Sequence, residues 1–133
     1  MADASSRPSP LFLAAAADDA KALLDEINKL ADKAQEISKL DPALGASALH
    51  VAANRGSVNA VQLLLEHDAD VDVRDRSGVT PLFAAVSTNQ TAIVDKLLDS
   101  KASVNIGDCD GLTALHEAAN NGDQVNHSLQ YTI

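Results

Sequence analysis

The sequence contains no tryptophan, one tyrosine and two phenylalanines, an aromatic share of 2%. Base stacking on aromatic side chains therefore has no platform. Positive charge is scarce as well. Ten Lys and Arg stand against nineteen Asp and Glu, giving a formal net charge of −9. Nucleic-acid phosphates require basic surface, so nucleic acid is excluded as the expected partner. A single cysteine, Cys109, cannot form an internal disulfide and suits a reducing compartment. The expected location is the cytoplasm, extending to the nucleus. No apolar run approaches the ~18 residues of a membrane span, and no membrane partner is expected. The apolar stretch Leu11 to Ala17 falls short of that length. It lacks the basic flank of a secretory signal, because Asp3 offsets Arg7. A chain of 133 residues has room for one domain.

What the chain does have is a period. Gly45, Gly78 and Gly111 are spaced by 33 residues, and each opens nearly the same phrase. The phrases run Gly45-Ala-Ser-Ala-Leu-His50, Gly78-Val-Thr-Pro-Leu-Phe83 and Gly111-Leu-Thr-Ala-Leu-His116. Val61 recurs as Val94, Leu64 and Leu65 as Leu97 and Leu98, Asp75 as Asp108, and Ala52 as Ala85 and Ala118. A fixed period of this length indicates a stacked array of supersecondary units. Gly56, Asn89 and Gly122 occupy one register position. Gly and Asn tolerate a left-handed backbone, so this position reads as the turn between two helices. Thr80-Pro81 reads as an N-cap followed by the first helical residue. Each period parses as turn, short helix, tight turn, longer helix and extended connection. First helices are expected to begin near Ala48, Pro81 and Ala114, and second helices near Ser57 and Gln90.

The 33-residue period, the Thr-Pro-Leu-Phe and Thr-Ala-Leu-His openings, the Ala pairs and the Leu-Leu endings resemble ankyrin repeats. The resemblance implies an α-rich, ankyrin-type solenoid of about four helix-turn-helix repeats with β-hairpin fingers. The fingers would turn at Asp75–Gly78 and Asp108–Gly111. The repeats are expected at about 10–44, 45–77, 78–110 and 111–122, the last incomplete. Residues 1–9 and 123–133 read as poorly ordered tails.

Both ends depart from the pattern. The first repeat matches the second at an offset of 38, which leaves about five extra residues after its second helix. Leu23, Ile27, Leu30, Ala34 and Ile37 form one helical stripe. They predict a single long helix from about Asp19 to Lys39, supported by an Asp25–Lys29 pair and replacing the first finger. At the other end, His127, Gln130 and Tyr131 stand where Val94, Leu97 and Leu98 should recur. The under-covered last layer predicts weak self-association through the C-terminal repeat.

Candidate chemistry is sparse. His50 and His116 are two repeats apart, too far to share a metal ion. The resemblance instead gives this His a role in tying the turn. Cys109 lies between Asp108 and Asp110, which disfavours a thiolate nucleophile. Asp68, Asp70, Asp72 and Asp75 lack the spacing of a calcium loop. No catalytic constellation, metal site or cofactor is expected, and the chain is expected not to be an enzyme. The expected function is a protein-interaction module, a small scaffold, adaptor or inhibitor. A regulatory fragment of a larger enzyme or signalling protein is the alternative. The resemblance places the binding surface on the concave side. Its residues are Arg74, Arg76, Ser77 and Val79 from one finger, and Ile106, Asp110 and Leu112 from the next. Asn54, Arg55, Ser87, Thr88, Asn120 and Asn121 would line the groove floor.

Overall fold

Pairs of short antiparallel helices follow one another along the chain in a computed structural model that describes residues 10–30, 33–41 and 44–121. The expected tails at 1–9 and 123–133, the end of the last repeat at 122, and the C-terminal self-association stripe lie outside the described residues. The helices are α1 (Pro10–Ala16), α2 (Ala20–Asn28), α3 (Lys33–Ile37), α4 (Ala48–Arg55), α5 (Val58–Glu66), α6 (Pro81–Ser87), α7 (Thr91–Asp99) and α8 (Ala114–Asn121). First helices begin at Ala48, Pro81 and Ala114, where the period places them.

The starts are fixed by caps. Ser47 accepts the His50 N–H and Thr80 accepts the Phe83 N–H, each at 3.2 Å. Pro81 follows at the first helical position, where a missing N–H costs nothing. The turn between helices is left-handed at Asp18 (φ 55°), Gly56 (φ 78°) and Asn89 (φ 60°), one register position in three repeats. The inner row α1, α4, α6 and α8 stacks in sequence, and the outer row α2, α5 and α7 stacks behind it. Between the rows lies one continuous core. Leu23, Leu49, Val61, Leu64, Leu82, Val94 and Leu97 are buried in it, and Ala15, Ala52, Ala53, Ala85 and Ala118 allow close helix approach. No single pair could bury these faces alone, so stability accumulates across the interfaces.

Two expectations need correction. The long helix from Asp19 to Lys39 is two shorter ones, α2 and α3. The Lys29 N–H bonds back to the Glu26 carbonyl and the Leu30 N–H to the Ile27 carbonyl, so the last turn tightens and α2 closes. It spans nine residues, as α5 and α7 do. Ile37 nevertheless reaches the core from α3 and is fully buried. The expected Asp25–Lys29 pair is replaced by Lys29 with Glu26 at 3.0 Å, an exposed contact of small energetic weight.

The fingers contain no β-strand among the described residues. Each is a tight turn closed by a few bonds. The Asp75 N–H donates to the Val79 carbonyl at 2.9 Å, and the Asp108 N–H to the Leu112 carbonyl at 2.8 Å. Asp75 Oδ1 also accepts from Ser77 and Val79 N–H, as Asp108 Oδ1 does from Asp110 and Leu112 N–H. The recurring Asp is thus the organiser of the turn, through an Asx motif that needs no ladder. Successive fingers are joined by Arg76 N–H to the Gly45 carbonyl and by Cys109 N–H to the Ser77 carbonyl, each at 3.0 Å.

Gly78 has φ +77°, and a Cβ there would lie 3.1 Å from the Cys109 backbone nitrogen. Gly78→Ala is expected to lower stability by more than the roughly 1–2 kcal/mol of a left-handed L-residue, measured by denaturant unfolding. An unchanged midpoint would show that the finger relaxes freely.

Candidate functional site

The inner helices and the fingers enclose a shallow groove on the concave side. Its central section, about 380 Å³, is lined by Leu44, Ala46, His50, Val51, Asn54, Asp75, Val79, Phe83, Ala84 and Ser87. An adjoining hollow is formed by Phe12, Leu13, Ala16, Leu44, Val51, Asn54 and Arg55. A third lies at Leu112, His116, Glu117 and Asn120. Leu13, Leu44 and Leu112 are 56%, 46% and 43% exposed, and among the described residues only Leu24 joins them as a large exposed apolar side chain. Three of these four therefore line the groove, whereas Leu24 sits on the outer row.

The wall between repeats is held by His50, which is 4% exposed. Its Nδ1 accepts the Ser47 N–H at 3.2 Å and contacts the Ser47 hydroxyl at 2.8 Å. Its Nε2–H donates to the Val79 carbonyl of the next finger at 2.6 Å. A carbonyl only accepts and a backbone N–H only donates, so this network requires the neutral ring with the proton on Nε2. Burial lowers the His50 pKa below its ordinary value; the bond to Val79 and the Asp75 charge act the other way and do not outweigh it. His116 repeats the inner half of the clasp, accepting the Thr113 N–H on Nδ1 at 3.0 Å. The tie expected of His50 is thus realised within its own turn and across to the next finger.

Most of the sequence-predicted residues lie around this groove in differing roles. Asn54, Val79 and Ser87 line the central section, Arg55 the first hollow, and Leu112 and Asn120 the third. Ser77 and Asp110 are exposed fingertips, and Ile106 is half-buried at the base of its finger. Arg74 is committed within the frame: its Nε–H donates to the Gly78 carbonyl at 3.2 Å and its Nη2 to the Gly107 carbonyl at 2.8 Å. The Arg76 stem crosses Gly45 closely enough to crowd any Cβ there. Thr88 turns its hydroxyl back to the Ala84 carbonyl at 2.9 Å, and Asn121 closes α8. Sequence reasoning missed Leu13, Leu44, Val51, Phe83 and Ala84 as groove residues. Register carries a signal for them, since Leu13, Val51 and Ala84 are equivalent positions on successive inner helices, facing away from the buried Ala52 row.

A second omission is structural. Asp18 Oδ1 accepts the Ala60 N–H at 2.9 Å, and its other oxygen accepts from the Asn59 amide. Ser57, the formal N-cap of α5, gives no cap bond because its hydroxyl donates to the Ala16 carbonyl at 3.2 Å. The preceding repeat thus caps the α5 N-terminus. Asp18→Ala is expected to cost about 0.5–2 kcal/mol, as for an ordinary cap, whereas Asp19→Ala should affect only α2. Native-state hydrogen exchange would separate them by the Ala60 backbone amide, which must lose protection only in the first variant.

The acidic connectors are used the same way. Asp72 Oδ1 accepts the Ser103 N–H at 2.8 Å, and the Asp70 N–H donates to Ser38 Oγ at 2.8 Å. No cluster of metal-ligating side chains occurs among the described residues, and no described helix is long and apolar enough to cross a membrane.

A family model of ankyrin repeats in three copies matches residues 11–108 and 73–128. The chain belongs to the ankyrin-repeat family. Ankyrin repeats are non-catalytic protein-interaction modules. The chain is similar to the B-cell lymphoma 3 protein homolog of Mus musculus, at 54% identity over 46 residues. It is similar to the Homo sapiens B-cell lymphoma 3 protein at 52% over 46 residues, and to Neurogenic locus notch homolog protein 1 of Xenopus laevis at 47% over 45. Each match covers 34% of this chain, and the matched stretch spans 10% or less of the relatives' length.

Proposed function

We propose that this ankyrin-repeat chain is a protein-binding module that seats a segment of a partner protein in its concave groove, acting as an adaptor or inhibitor without chemistry of its own. The carrying observation is the placement of Leu13, Leu44 and Leu112 along that groove, three of the four large apolar side chains exposed among the described residues. Exposed apolar surface gathered in one concavity is what an interaction site requires. The acidic net charge and the scarcity of aromatic side chains favour a protein partner over nucleic acid. A role as the regulatory part of a larger protein is compatible with the same groove.

The test is affinity capture from a cell lysate with wild type and with Leu13→Asp/Leu44→Asp. Both substitutions are at exposed positions, so the fold should survive, as circular dichroism would verify. Proteins held by wild type should be lost from the variant. Capture of the same proteins by Leu24→Asp would show that the groove, and not apolar surface in general, is responsible. Equal capture by wild type and the groove variant would remove the site.

A further inference from the structure

The third hollow is half of the central one. Leu112, His116, Glu117 and Asn120 line it. By register they are Ala46, His50, Val51 and Asn54, which form one wall of the central section. The opposite wall there comes from the next repeat, as Asp75, Val79, Phe83, Ala84 and Ser87. No equivalent wall stands over the third hollow among the described residues. Individual groups mark the same gap. Thr113 holds His116 Nδ1 as Ser47 holds His50 Nδ1, but His116 Nε2 has no partner where His50 Nε2–H reaches the Val79 carbonyl. The Ser77 carbonyl takes the Cys109 N–H of the following finger, and Asp110, its equivalent, has no such donor. A Cβ at Gly78 would crowd the Cys109 backbone, whereas one at Gly111 would meet nothing within 4 Å. The joint one repeat earlier shows what covers a face of this kind. It is a carbonyl standing directly before a helix cap, Val79 before Thr80-Pro81-Leu82-Phe83. The chain carries that phrase once more, as Ser9-Pro10-Leu11-Phe12 preceded by Pro8. Asp3 precedes Ser9 at the spacing by which Asp41 precedes Ser47. Phe and His alternate along the inner row as Phe12, His50, Phe83 and His116, an order that a second copy placed after the first continues.

We propose that the face formed by Leu112, His116 and the 108–112 finger is covered by the first repeat of a second copy of the chain, so that copies stack head to tail. His116 Nε2–H donates to the carbonyl of the partner's Pro8, and the Asp110 carbonyl accepts the N–H of the partner's Ala4. The partner's Phe12 and the partner's Leu13 supply the wall that Phe83 and Ala84 supply in the central section. Leu13 and Leu112, 56% and 43% exposed in one copy, are then covered together. The contact joins two different faces and does not close on itself, so it builds a row of copies and not a dimer. It is a weak contact for two reasons. Arg7 stands where Gly45 has φ +67°, a backbone conformation that is costly for an L-residue. Each copy also carries a net charge of −9, which opposes association. A stack lengthens the concave groove without depending on what binds there.

The test is sedimentation equilibrium of the 133-residue chain at concentrations from about 1 μM to about 1 mM. Wild type should form reversible species that grow past two copies as concentration rises. Leu112→Asp removes one face and Leu13→Asp the other, so each variant alone should stay monomeric. Their mixture should form dimers that grow no further, because one intact face of each makes a single joint. His116→Phe, the residue already present at positions 12 and 83, should weaken wild-type association about tenfold by removing the donor. Arg7→Gly should tighten it by about the same factor. Circular dichroism checks that each variant folds. Should either Leu variant fail to fold, His116→Phe and Arg7→Gly must still move association in opposite directions. A monomer at every concentration, a wild-type species that stops at two copies, a mixture of folded Leu variants that stays monomeric, or association indifferent to either His116→Phe or Arg7→Gly would overturn the proposal.

Discussion

Leu64→Ala is expected to lower the unfolding free energy by about 2–5 kcal/mol, the range for a leucine truncated in a core that collapses only partly. Leu64 sits in α5 with no exposed surface, between the inner row and the outer neighbours α2 and α7. The frame leaves little freedom to close the void. Its flanking helices are positioned by bonds that do not involve the Leu64 side chain, among them Asp18 to Ala60 and Lys96 to Gln62. In a stacked array the loss is felt twice, because each layer is shared by two neighbours. Leu97→Ala, equally buried one repeat later, should behave alike. Leu24→Ala, on a helix of the same row but 37% exposed, should cost far less. Denaturant midpoints ranking Leu24 above Leu64 would show that the buried layer is not where the stability lies.

The second large effect is on acid stability through His50. Burial lowers the pKa of the folded ring below 6.5, its ordinary value. The unfolded chain therefore binds the proton first as pH falls. Stability is fully present above about 6.5 and declines as pH drops through that value, levelling once the folded ring also protonates. The structural reason is direct. A proton on Nδ1 would oppose the Ser47 N–H at 3.2 Å, so the half of the clasp within the His50 turn must open, while Nε2–H keeps the Val79 carbonyl. Carboxylates titrate mostly below this window, near 4, so unfolding midpoints between pH 7.5 and about 5.5 report on histidine, and a His50 variant singles out this ring. Wild type should lose stability across that interval, and His50→Gln should lose less. Parallel curves would show that the ring is not the titrating group. His50→Ala at pH 7.5 should itself cost about 1–3 kcal/mol, since it leaves the Ser47 N–H buried without this partner.

Much of the fold was legible because the repeat writes the same physical instruction several times. Thr80-Pro81 can only open a helix, and Ala48 and Ala114 fall one period either side of Pro81. The departures fall in the first repeat and in the fingers. Ile27, Leu30 and Ile37 share a helical stripe, yet the helix closes after α2 through the tightened Lys29 and Leu30 turn, and Ile37 reaches the core from α3. The fingers alternate apolar and polar residues like strands, yet each is held by a single Asp and a few backbone bonds.

The candidate site was legible in outline and not in its parts. Non-repeating positions such as Asn54, Arg55, Ser87 and Leu112 do fall on the groove. Arg74 reads as a free cation in the sequence, and only its bonds to the Gly78 and Gly107 carbonyls show it holding two fingers together. Leu13 and Leu44 read as ordinary apolar residues, and only the packing of the repeats brings them together in one hollow beside Arg55.

The sequence by itself determined the repeat, its register, the helix starts and the left-handed turns, since these are local matters of dihedral preference and apolar spacing recurring every 33 residues. The tertiary structure alone decided which His50 atom reaches Val79 and that Asp18 caps the helix of the next repeat. Those depend on distances between residues about thirty or more positions apart, which no local pattern encodes.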